Sequence, residues 1–168
     1  MSSLLALVTA SQMSIIDNPP MLLVQQTVSQ SVPSSTFTTI TYTNVLYDNY
    51  SGYNSGTSFY TAPVNGWYRA AFTIQWAANA TPARLGGIEN GGSNAVTWLT
   101  ANDAPSASGV TTSFGVSNII ELSAGLSIQN VFGDQNSGAG LSTQVGTSNL
   151  TSYNSFFCLK WIAALPSS

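Results

Sequence analysis

The stretch APVNGWYRAAFTIQWAANATPARLGGIENGG, residues 62–92, decides how the rest of this 168-residue chain is read. Tyr68, Ala70, Phe72, Ile74 and Trp76 fall on one face of an extended chain. Trp67, Arg69, Ala71, Thr73 and Gln75 fall on the other. Side chains of a strand alternate with period two, so a sustained alternation of this kind marks a half-buried strand. Val64-Asn65-Gly66 opens it as a turn, ANATP turns the chain after it, RLGGIE returns, and NGGSN turns again.

The same grammar runs outward in both directions. MLLVQQTVSQ, residues 21–30, reads as a first strand and SVPSS as a turn. In residues 36–48, Phe37, Thr39, Thr41 and Thr43 alternate with Thr38, Ile40, Tyr42 and Asn44, a composition suited to a pleated surface. NYSGYNSG reads as a loop and TSFYTAP as a short strand. Further strands are expected at AVTWLTA, VTTSFGVSNIIEL, LSIQNVFGD and LSTQVG. The last, SYNSFFCLKWIA, sets Tyr153, Phe157, Leu159 and Trp161 against Asn154, Phe156, Cys158 and Lys160. About ten short strands with turns between them predict an all-β antiparallel sandwich or barrel.

Two regions divide the chain. Residues 1–20 end in Asp17-Asn18-Pro19-Pro20, where the prolines fix φ and restrict the residue before them. They read as an arm, and residues 21–168 as one globular domain. Leu4, Leu5, Leu7, Ile15 and Ile16 give the arm apolar residues with no core of their own, which suits attachment to a partner. The apolar patch from Leu4 to Val8 is short and no Lys or Arg precedes it, so it is read as a docking segment and not as a secretory signal. The arm could be helix, strand or coil.

Charge excludes several functions. Only 5% of residues are charged, the net charge is −3, and Arg69, Arg84 and Lys160 are the only basic residues. A nucleic-acid binder needs a cationic stripe, and an anionic membrane surface asks for one too; neither partner is expected. Hydrophobic residues nevertheless make up 43% of the chain. Such a surface reads as one covered by partners, the alternative being the polar, uncharged skin of an extracellular or virion protein.

The chain lacks histidine and has one cysteine. No catalytic residue, cofactor or metal site is expected, and the protein is read as not an enzyme. General acid–base work needs histidine, paired carboxylates or a tuned lysine, and Asp17, Asp48, Glu89, Asp103, Glu121 and Asp134 are not paired by their spacing. GDQNSGAG lacks the paired acids and the closing glutamate of a calcium loop and reads as a flexible hairpin loop. Cys158 reads as a small buried hydrophobe. Tyr47, Tyr50 and Tyr53 lie in or beside one loop. They could stack on a sugar or, with Trp67, fill a subunit contact, where tyrosine is enriched.

The order of these pieces resembles the trimeric jelly roll of the complement globular head and tumour necrosis factor superfamily. The residues that carry the likeness are Phe59, Pro63, Gly66 and Tyr68 in the central hairpin, and Leu122, Ala124 and Gly125 before the strand LSIQNVF. An acidic residue often follows that last glycine in the family, and here it is Leu126; the calcium sites of some members are therefore not expected. The resemblance implies a jelly-roll β-sandwich that associates as a homotrimer. Asn/Thr/Ser-rich, uncharged versions with a short arm look like tailed-phage virion proteins. This implies a knob on the virion surface whose arm binds a major capsid or tail protein, most simply for capsid decoration. A receptor- or host-glycan-binding head of a tail or head fibre is the alternative reading. A secreted glycan-active enzyme stands further off, since it would need two distant carboxylates brought together.

Overall fold

The alternating run at 66–76 becomes an eleven-residue strand whose burial alternates as its sequence does as far as Ile74, after which Gln75 and Trp76 are both buried. The structure, a computed structural model, describes residues 10–79, 84–90, 97–104, 112–135, 140–145 and 155–165. Its elements are α1 (Ala10–Asp17), β1 (Met21–Gln25), β2 (Ser31–Val32), β3 (Thr38–Thr39), β4 (Asn44–Asp48), β5 (Tyr53–Asn54), β6 (Phe59–Thr61) and β7 (Gly66–Trp76). There follow β8 (Arg84–Asn90), β9 (Thr97–Ala104), β10 (Thr112–Leu122), β11 (Ser127–Gln135), β12 (Leu141–Ser142) and β13 (Phe156–Ala163). One sheet has five strands in the order β10-β7-β13-β1-β4. A second has the order β5-β6-β11-β8-β9, with β3 added against β11, and β12 pairs with β2. The described pairings are antiparallel.

One core lies between the two large sheets. Leu22 and Val24 of β1, the inward row of β7, Ile120 and Leu122 of β10, and Phe157 and Leu159 of β13 enter it from the five-stranded sheet. Tyr60, Ile88 and Ile128 enter from the other side. Each such side chain contributes about 1.5–3 kcal/mol when fully buried. The all-β antiparallel jelly roll expected from the sequence is the observed architecture.

The turns explain the spacing Phe59…Pro63…Gly66…Tyr68. The Tyr68 hydroxyl donates to the Val64 carbonyl at 2.9 Å and the Trp161 indole N–H to the Asn65 carbonyl at 3.2 Å. The Asn65 side chain accepts from the Ala124 amide at 2.7 Å, and Ala62 exchanges backbone bonds with Gly125 and Leu126. The two turns that carry the resemblance are thus bonded to each other. A Cβ on Gly66 would run into the Trp161 indole and the Ala163 carbonyl. Gly125 has φ +80°, a backbone region that favours glycine.

Several expected strands are shorter than their sequence pattern, LSTQVG among them, which keeps only Leu141–Ser142. The run 21–30 ends its ladder at Gln25, and 36–48 splits into β3 and β4. Between them Ile40 and Tyr42 are still buried and Thr43 exposed, so the alternation holds without a continuous ladder. The reason is Gln30. Its side-chain amide donates to the Thr39 carbonyl at 2.6 Å and accepts from the Thr41 amide at 2.9 Å, taking the place of a neighbouring strand. Tyr153, Asn154, the NSG of the 136–140 loop and most of the NGGSN turn lie outside the described residues.

Candidate assembly face and amino-terminal arm

Eleven large apolar side chains are exposed among those described, and seven of them belong to the five-stranded sheet: Leu23, Val45, Leu46, Tyr47, Trp67, Ile119 and Ile162. They range from 36% to 57% exposed. The described side chains of the other large sheet contribute none. Register arranges the outward face into rows. Tyr47, Leu23, Cys158, Ala71 and Ser117 lie side by side across five strands. The next row is Met21, Lys160, Arg69 and Ile119, and beyond it Trp67 lies between Ala163 and Glu121.

This face is not flat. A hollow of about 320 Å³ is lined by Met21, Leu23, Ala71 and Cys158 together with Arg69 and Lys160. A second, of about 450 Å³, is lined by Arg69, Ser117, Asn118, Ile119 and Ile162. Small Ala71 and Cys158 beside longer neighbours make the first. Two of the three basic side chains of the chain thus stand directly opposite each other across β7 and β13, an arrangement that like charges disfavour. The Arg69 Nε donates to the Ser117 hydroxyl at 3.1 Å.

No catalytic constellation assembles among the described residues. No group of three His, Cys, Asp or Glu side chains there could hold a metal. The Asp48 carboxylate accepts from the amides of Gly52 at 3.2 Å and Tyr53 at 2.9 Å, shaping a loop. Burial pushes the Cys158 thiol up, against smaller opposing effects of the Ala71 backbone and Arg69, so the unreactive protonated thiol prevails at neutral pH.

The tyrosines part company. Tyr47 joins the outward apolar face beside Leu23, as Trp67 does on β7. Tyr50 donates to the Asn18 carbonyl at 3.1 Å, and half-buried Tyr53 to the Tyr42 carbonyl at 3.0 Å.

The arm holds a short helix, α1, with Met13 and Ile16 exposed at 53% and 63% and Ile15 half-buried. Leu4, Leu5 and Leu7 lie outside the described residues. After the helix the chain is clasped by Asn49. Its amide donates to the Asn18 side chain at 2.8 Å and the Pro19 carbonyl at 2.9 Å, and its oxygen accepts from the Met21 amide at 2.8 Å. The Pro20 carbonyl accepts from the Trp161 amide at 2.9 Å. Asn18–Pro20 are bonded to the body, although the sequence assigned them to the arm.

Sequence reasoning singled out Trp67 and Tyr47 and passed over Leu23, Ile119 and Ile162. A signal was present: Leu22-Leu23-Val24 and Ile119-Ile120 put apolar residues on both faces of strands that should alternate. The clasp by Asn49 carried none, since asparagine in a Gly/Asn loop reads as turn chemistry.

The class defined by this fold and face is an antiparallel jelly roll whose five-stranded sheet carries exposed apolar side chains on its outward face. No protein-family model matches the sequence, and no curated protein matches it. Solved structures do match. Eiger, a tumour necrosis factor from S. frugiperda, aligns with TM-score 0.65 at 12% identity, over 88% of this chain and 96% of that one. Murine APRIL aligns with TM-score 0.63 at 13% identity, over 85% and 98%. The globular domain of a zebrafish complement 1qA protein aligns with TM-score 0.60 at 13% identity, over 87% and 99%. The chain shares their jelly-roll fold, as the hairpin residues predicted; identities this low carry the likeness no further than fold.

Proposed function

We propose that this chain is a structural protein of a tailed-phage virion, a non-enzymatic homotrimeric knob on the particle surface that decorates and stabilises the capsid. One observation carries the assembly: the exposed large apolar side chains gather on one sheet and leave the described side chains of the other clear. Contiguous exposed apolar surface of this kind marks a protein contact, and a stable interface buries ~1,600 Å² or more in total. The superfamily that the sequence resembles associates in threes. The arm supports attachment, because Met13 and Ile16 are exposed on a helix too short to be stable without a partner. That partner is read as the major capsid or tail protein. The near-absence of charge and the Ser/Thr/Asn-rich surface support a virion setting.

Sedimentation equilibrium should return three times the 17.6 kDa chain mass at micromolar concentration. A mass of one chain overturns the assembly. Immunogold labelling of intact particles then separates the roles. Many tens of copies over the head support decoration, whereas a few copies at a tail or fibre tip overturn it in favour of a receptor- or glycan-binding head.

A further inference from the structure

The geometry points to a site for a small oxyanion, phosphate or sulfate, held between Arg69 and Lys160 on the outward face of the five-stranded sheet. One chain builds this site, and it stands whether or not copies associate. The chain has three basic residues against six acidic ones, yet two of the three lie directly opposite each other on β7 and β13. Residues so paired have Cβ atoms about 5 Å apart, and like charges there repel. Both side chains are exposed. Among the described residues no carboxylate is bonded to either cation; Glu121, the acid of the same face, lies opposite Trp67. An anion between the two turns a repulsion into two attractions.

The hydrogen bonds around the pair leave donors open. The Ser117 hydroxyl accepts from the Arg69 Nε at 3.1 Å. That bond fixes the guanidinium and leaves its two terminal nitrogens, the fork that receives two oxygens of one oxyanion. Having accepted, the Ser117 hydroxyl still has its proton to give. The Asn118 side-chain oxygen accepts from the Ile119 amide at 2.8 Å, so the NH2 of that side chain is its open end. Lys160 adds three N–H groups and no acceptor. Space is present as well. Arg69 lines both hollows of this face, the one of about 320 Å³ with Lys160 and the one of about 450 Å³ with Ser117 and Asn118. A ligand that only accepts and carries more than one negative charge satisfies this set, whereas a cation meets only positive charge and donors. In the assembly proposed above, the anion would also neutralise two cations that burial leaves unpaired.

Line broadening of the phosphorus resonance of inorganic phosphate reads binding directly, with ionic strength held constant by sodium chloride. The full chain is used, with phosphate present through refolding from urea so that an assembly does not close ahead of it. The wild type should broaden the line saturably, and added sulfate should sharpen it again where chloride does not. Lys160→Gln should weaken binding about tenfold, the worth of one charge-assisted bond, and Arg69→Gln by more. Asn118→Asp keeps the side chain's shape, puts a carboxylate where a donor stood and should abolish binding, with circular dichroism showing the sheet intact in each variant. Equal broadening by the wild type and Arg69→Gln overturns the site. So does displacement by chloride as readily as by sulfate, which means charge screening alone. A wild type that sediments as one chain and still broadens the line removes the trimer and keeps the site; a trimer that leaves the line sharp does the reverse.

Discussion

Gly66 shows how much one missing atom decides. It begins β7 where the Trp161 indole crosses to bond Asn65, and a methyl group there has no room. Gly66→Ala should cost roughly 2 kcal/mol, the usual range for overpacking, seen as a lowered urea midpoint. The tyrosines make a second test at this scale. Burial pushes the phenols of Tyr42, Tyr53, Tyr60 and Tyr68 up, that of Tyr68 to about 12 against an ordinary 10.0. An acid whose folded pKa is raised favours the fold while it is neutral. Its contribution is whole below pH 10.0 and is lost as pH climbs toward about 12. Alkaline titration should therefore show phenolate absorbance for these rings rising together with unfolding; a separate, earlier rise without loss of circular dichroism would contradict it. Gly66 and Tyr68 were legible as letters of a spaced pattern. The Trp161 contact that makes Gly66 necessary was not, because nearly a hundred residues of chain separate the partners.

Among elements, the long strands were read nearly to their ends. β7 as far as Ile74 and β13 from Phe156 to Lys160 bury one face and leave the other more exposed, and period two reports that directly. Residues 36–48 were read as one strand because burial there alternates too, while the hydrogen bonds come from the Gln30 side chain, which no periodicity encodes. The arm's helix was equally hidden, for eight residues of mixed polarity carry little helical signal. The clasp fixes where the arm can be cut. Removing residues 1–17 spares the Asn18–Asn49 and Pro20–Trp161 bonds, whereas removing 1–20 deletes both. The shorter truncation should melt with the full chain and the longer one lower by about 1–3 kcal/mol, the worth of a few lost hydrogen bonds. Both should fail to attach to particles in a co-sedimentation assay, and normal attachment would remove the arm from that role.

For the whole molecule, the proposed assembly would use the opposite face of the same strands from the one that holds the core. Leu22 and Val24 face the core and Leu23 faces out. Leu23→Asp should leave the fold within about 1 kcal/mol, the span of exposed strand preferences, yet shift the protein to single chains by light scattering. Equal loss of both would mean that the outward face supports the fold itself. The sequence made the sandwich legible through alternation, and the outward face only through the residues that broke it.

The strand order has a consequence for synthesis. β1 and β13, the first and last strands, are partners in the middle of their sheet, Leu22 against Leu159 and Val24 against Phe157. A nascent chain leaving the ribosome must carry β1 without that neighbour until Phe156–Ala163 emerges. Completion of this sheet therefore waits for Ala163, and a ribosome stalled just short of Phe156 would hold a product that chaperones and proteases still recognise as unfinished.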